Sequence, residues 1–90
     1  MTLRIERIPG NPTTTIRLIG RVQAEHIGEL EAQIEAGGGA VVLDLEEVIL
    51  VDVEVVRFLG RCRTGGIVLA NGSPYIRQWI DNETKGGVER

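Results

Sequence analysis

The chain has little of what most chemistry needs: one cysteine, Cys62, and one histidine, His26, in 90 residues. A lone cysteine closes no intrachain disulfide and builds no thiolate metal site, so the sequence reads as that of a reducing compartment, with the cytoplasm as the default. No apolar run approaches the ~18 residues that a membrane-spanning helix requires, which predicts no direct membrane insertion. The segment MTLRIERIPG places charges at Arg4, Glu6 and Arg7 with no apolar stretch behind them, unlike a signal or transit peptide. Excess positive charge is missing too. Ten Lys and Arg against thirteen Asp and Glu give a net charge of −3, and hence no broad attraction for nucleic acid or an anionic membrane surface. A chain this short buries about 60–65% of its unfolded surface in one core, which excludes two domains.

What is present is periodic. Residues 3–8 alternate, with Leu3 and Ile5 on one face and charges opposite, as in a half-exposed edge strand. Pro9-Gly10-Asn11-Pro12 is dense turn chemistry, and the β-branched run Thr13 to Ile19 completes a hairpin that Gly20 ends. Within 24–36, Ile27, Leu30 and Ile34 recur at helical spacing, while Glu25, Glu29, Glu31 and Glu35 form an acidic outer face. Gly37-Gly38-Gly39 stops that helix. Ala40 to Leu45 is almost continuously apolar, the pattern of a central strand, and Val48 to Val51 is a second, shorter apolar run.

Asp52 then caps a helix beginning at Val53, whose Val55, Val56, Leu59 and Cys62 share one face until Gly65-Gly66 closes it. Ile67 to Ala70 is the last strand, and Asn71-Gly72 turns the chain. Ser73-Pro74 starts a third helix with Ile76, Trp79 and Ile80 on its apolar side. Residues 81–90, polar and glycine-bearing, are expected to fray as a flexible tail, so the single domain spans 1–80. The order is β-β-α-β-α-β-α, an α/β domain with a small mixed four-stranded sheet. Right-handed crossovers between strands in sequential order place the helices on one face and leave the other partly bare.

Catalysis needs a nucleophile with its base, a metal cluster or a phosphate-cradling loop, and none is assembled here. The sequence therefore reads as that of a non-enzyme with no cofactor. His26, early in an acidic helix, reads as an ordinary surface side chain, and Cys62 as a small core hydrophobe. The triple glycine follows a helix and precedes a strand, the reverse of a phosphate loop. Asp44, Glu46 and Glu47 lack a matching ligand set and read as a solvated strand end. Arg57 and Arg61, four apart with Arg63 adjacent and Glu54 three before Arg57, form a basic stripe. It either makes intrahelical ion pairs or meets an acidic surface, such as the Glu25 and Glu29 side of the first helix or of a second copy in a homodimer. Nine of the ten cations are arginine, which favours bidentate contact with carboxylates.

Four segments together resemble the STAS family, the domain shared by sulphate transporters and bacterial anti-sigma factor antagonists. They are Leu18-Ile19-Gly20 with Val22 after it, Val41 to Leu45, Val48-Ile49-Leu50-Val51-Asp52 at the start of the second helix, and Gly65-Gly66-Ile67-Val68-Leu69. The match is one of pattern over residues 14–80. Regulatory members carry a phosphate-accepting hydroxyl directly after the aspartate, where this chain has Asp52-Val53-Glu54-Val55. Valine has no hydroxyl, so that phosphorylation switch is absent at Val53. Glu54 either complements the helix dipole or imitates the phosphorylated state. Position 23, acidic in many members, is Gln23. The resemblance implies a module that docks on a protein partner, an anti-sigma factor or kinase, through Asp52, Val53, Glu54, Arg57 and Arg61, with Arg21 and Gln23 nearby. Two other readings are a soluble accessory subunit of a lipid or anion transporter, and a domain binding a small anion or nucleotide at the second helix N-terminus.

Overall fold

The computed structural model describes residues 3–10, 12–37 and 40–88. Strands and helices follow in the order β1 (Leu3–Ile8), β2 (Thr13–Val22), α1 (Ile27–Gly37), β3 (Ala40–Val51), α2 (Val53–Thr64), β4 (Val68–Ala70) and α3 (Pro74–Val88), with a 3-10 turn, Ala24–His26, leading into α1. They build one sheet in the order β1-β2-β3-β4, in which β1 is antiparallel to β2 and the other neighbours are parallel. Alternation along β2 and β3 sends Ile16, Leu18 and Val22, and Val41, Leu43 and Leu45, to one face. Leu30 of α1, Val55 and Leu59 of α2, and Ile76 and Ile80 of α3 belong to the same buried cluster, so all three helices cover that face. Each such side chain contributes roughly 1.5–3 kcal/mol by leaving water.

The opposite face carries two cross-strand rows. Ile8, Thr15, Val42 and Val68 are successive neighbours in one, and Glu6, Arg17, Asp44 and Ala70 in the other. Ile8 therefore lies with the outward residues of β1, exposed, while Arg7 shares the register of Ile16 and donates to the Gln33 carbonyl of α1 at 2.8 Å. Charges alternate along the second row, Glu6 to Arg17 at 3.9 Å and Arg17 Nε to Asp44 Oδ2 at 3.6 Å, and Arg4, two residues before Glu6 on β1, pairs with it at 3.2 Å. Asp44 is buried, and its Oδ1 accepts from the Glu46 amide at 3.0 Å and from Asn71 Nδ2 at 3.3 Å. Asn71 stands at φ 61°, a left-handed conformation that asparagine tolerates better than most residues.

One expectation is corrected. The apolar runs 40–45 and 48–51 are not separate segments but one twelve-residue strand, β3. The register against β2 slips once between Arg17 and Ile19 and again between Gly20 and Arg21, each slip placing an extra residue in β3. Such bulges break strict alternation, which is why the pattern reads as two pieces. Gly20, at φ 102°, supplies on β2 the backbone angle that the second irregularity needs. Residues 81–88, read from the sequence as a tail, continue α3 as helix. Asp81 pairs with Arg63 at 2.8 Å and Glu83 with Arg57 at 3.1 Å, so polar residues there serve as partners for α2. Residues 89–90 of the expected tail, like Gly38 and Gly39 of the glycine stop, lie outside the described residues.

Burial alone raises the pKa of Asp44, but the Glu46 amide, the Asn71 side chain and Arg17 outweigh it and hold the carboxyl below its usual value of 3.8. A carboxylate with a depressed folded pKa stabilises the fold above its unfolded pKa, and that contribution disappears as pH falls through the folded value. Chemical denaturation followed downward from pH 5 therefore shows a loss of stability below about the ordinary carboxylate range, and the Asp44→Asn variant loses less over the same interval. Asp44→Ala, which strands the Glu46 amide and Arg17, costs about 1–3 kcal/mol at neutral pH.

Candidate functional site

β2 and β3 are parallel neighbours that end side by side, Val22 opposite Val51, both buried. From these adjacent carboxyl ends the chain turns into the Ala24–His26 turn on one side and α2 on the other. Asp52 joins the two departures. In extended conformation at φ −103°, ψ 176°, it accepts from the Val55 amide through Oδ1 at 2.9 Å, the expected N-cap. Its Oδ2 accepts from the Ala24 amide at 2.8 Å. One carboxylate thus satisfies donors at the start of both crossover connections.

His26 closes the neighbouring turn. Its Nδ1 accepts from the Gln23 amide at 2.9 Å, while its own amide donates to the Gln23 carbonyl at 2.8 Å. Its Nε2 lies 3.6 Å from the Glu25 carboxylate. The residue expected to be an ordinary surface histidine is instead a reciprocal cap of the loop beside Asp52. Its signal in the sequence was its place three residues after Gln23, where a side chain reaches back to the capping amide.

The structure brings Gln23 and Asp52 together through this loop, with Val53 and Glu54 in the first turn of α2 and Arg21 opposite Leu50 in the register. Arg57 and Arg61 continue along α2, one and two turns further. Arg57 lies 3.8 Å from Glu54 and bonds Glu83 of α3, and Arg61 stands 5.9 Å from the centre of the Phe58 ring. Among the described residues Arg57 and Arg63 of the basic stripe find acidic partners on α2 itself and on α3, not on the Glu25 and Glu29 side of α1. The physical reason is placement: α3 packs along α2 and offers Asp81 and Glu83 within reach of Arg63 and Arg57.

Two residues absent from the sequence-based set stand out. Ile49 is 75% exposed and Leu50 49%, and with Val53 at 36% they place three apolar side chains on either side of Asp52 in the chain. Ile49 is the residue that the second slip leaves without a partner on β2, between Val48 opposite Gly20 and Leu50 opposite Arg21. The signal was the unbroken apolar run 48–51, too long for a strand with one face in water.

Among the described residues no group of three or more His, Cys, Asp or Glu side chains could hold a metal ion. Asp44 is committed to the Glu46 amide, Asn71 and Arg17. Burial pushes the Cys62 thiol up to about 11, with Arg61 lowering it and Glu31 raising it, so it stays protonated at neutral pH. No helix among the described residues is long and apolar enough to cross a membrane.

Because both oxygens of Asp52 are used, the two conservative losses separate. Asp52→Ala costs about 1–3 kcal/mol in equilibrium unfolding. Asp52→Asn retains one acceptor oxygen and costs less, yet more than the near-zero expected where asparagine and aspartate cap equally well.

No family model matches the chain, and no curated protein sequence matches it. A search of solved structures finds the anti-sigma factor antagonist SpoIIAA in its unphosphorylated form, with a TM-score of 0.66 and 21% identity, covering 96% of this chain and 84% of that one. At that identity the likeness is one of fold, and the strand order, the mixed sheet and the three helices described above agree with it. The chain has the STAS-like fold that its sequence pattern resembles.

Proposed function

We propose that the chain is a non-enzymatic regulatory module that docks on a protein partner through the lip around Asp52, in the manner of an anti-sigma factor antagonist. The observation that carries this reading is the exposure of Ile49, Leu50 and Val53 beside a loop held rigid by Asp52. Exposed apolar side chains that a bulge turns into water gain by burial against a partner, at roughly 25 cal/mol per Å² of apolar surface. Arg21, Gln23, Glu54, Arg57 and Arg61 supply a polar rim, in which arginine is the side chain best suited to carboxylates across an interface. Partner pairing of Arg57 with Glu54 and Glu83 orders it before contact, which lowers the entropy lost on docking. Likeness of fold to SpoIIAA, an anti-sigma factor antagonist, supports a protein partner of the anti-sigma factor class.

Regulation in this reading does not pass through phosphate at position 53, because Val53 has no hydroxyl. The proposed switch is occupancy of the lip by one partner or another.

Capture of the full chain with its partner from native lysate, followed by mass spectrometry and calorimetry, tests the proposal. A kinase-type anti-sigma factor bound at least about tenfold more weakly by Leu50→Glu or Val53→Glu supports it. Ile8→Glu, on the outer sheet face, leaves that affinity unchanged. Recovery of a transporter ATPase instead supports the accessory-subunit reading and overturns this one. Val53→Ser supplies the missing acceptor, and phosphorylation of that variant by the partner kinase is expected to weaken binding.

A further inference from the structure

A second concave site lies away from the Asp52 lip, where the end of β4 meets α2 and α3. It is a cleft of about 310 Å³, at the small end of ligand pockets, which run about 300–1,000 Å³. Leu45 and Ile80 are buried and Leu69 partly so, which gives the cleft an apolar floor. Arg63 and Arg77 stand at its exposed rim with Asn71, and among the described residues no carboxylate is part of its lining. Arg63 is held by Asp81 at 2.8 Å. Arg77 has no acidic partner among the described residues, so its charge is the uncompensated one.

Gly72 adds an independent observation. Its backbone is not among the left-handed positions, so glycine is not required there for conformation. A Cβ at Gly72 would stand 3.3 Å from Arg77 Cγ and 3.5 Å from Leu45 Cδ1, inside the cleft between its cationic rim and its apolar floor. The missing side chain keeps that space open.

We infer that this cleft binds a small organic anion with an apolar body, a short-chain carboxylate or alkyl phosphate, whose tail lies on Leu45, Leu69 and Ile80 and whose anionic head meets Arg77. Arg63, already oriented by Asp81, provides a second donor set. The apolar floor excludes a bare inorganic ion as the preferred ligand, and the arginines disfavour an amine. The site is independent of partner docking, since it shares no residue with the lip.

Amide NMR of the full chain, titrated with hexanoate and in parallel with butyl phosphate, tests the inference. Saturable shifts at Leu45, Leu69, Gly72 and Ile80 are expected for at least one of the two, and the arm that saturates distinguishes the head group. Arg77→Gln weakens that binding by about tenfold or more. Gly72→Ala weakens it with both arginines in place, and Arg61→Gln, in the same last turn of α2 as Arg63 but not part of the cleft lining, leaves it unchanged. Equal binding of hexanol or of inorganic phosphate, shifts that map elsewhere, or no saturation with either probe would overturn the assignment.

Discussion

The two oxygens of Asp52 tie together the starts of two crossover connections. In a sheet built from parallel strands, each strand hands the chain to a helix at the same end, and each helix start leaves amide donors without partners. Neighbouring strands bring two such starts side by side, and here one carboxylate serves both, accepting from Ala24 and from Val55. The connection fixes the loop after β2 against the first turn of α2. His26 reinforces it from the other side through the Gln23 amide. A loop ordered in this way holds its neighbours, Val53 and Glu54, in one arrangement, the preorganisation that the proposed docking surface calls for.

β3 carries the connection between the bare face of the sheet and that lip. Asp44, outward-facing but buried, accepts from the amide two residues on, at the first slip in register, and is gripped laterally by Arg17 and Asn71. The second slip, opposite Gly20 and Arg21, leaves Ile49 without a cross-strand partner and in solvent. The strand that supplies Leu43 and Leu45 to the core thereby also supplies the apolar part of the candidate surface. Its two roles are separated by bulges, which change which face a side chain meets without ending the strand.

Much of this was legible in the sequence because hydrophobic periodicity reports burial directly. The β-branched run Thr13 to Ile19 and the apolar run Val41 to Leu45 marked the core strands, Asp52 the start of α2, and Ser73-Pro74 that of α3, whose Ile76 amide donates to Ser73 Oγ. Three features escaped for physical reasons. A bulge leaves no mark on composition, so β3 read as two runs and the exposure of Ile49 and Leu50 went unread. The second arm of Asp52 reaches 28 residues back in the chain, and no local pattern encodes a contact of that separation. Asp81 and Glu83 lie on α3 as partners for arginines of α2, a pairing visible only once the two helices are placed together. Where the likeness to regulatory members departs, at Val53, the sequence spoke plainly, since the absence of a hydroxyl needs no coordinates.

The most direct measurement is hydrogen exchange at the amides of Ala24 and Val55 in the native protein and in the Asp52→Asn and Asp52→Ala variants. A carboxylate has two acceptor oxygens and a carboxamide one. The account predicts that both amides lose protection in the alanine variant and that one alone loses it in the asparagine variant. Protection at Ala24 that is the same in all three proteins would contradict it, and Asp52 would then be an ordinary helix cap.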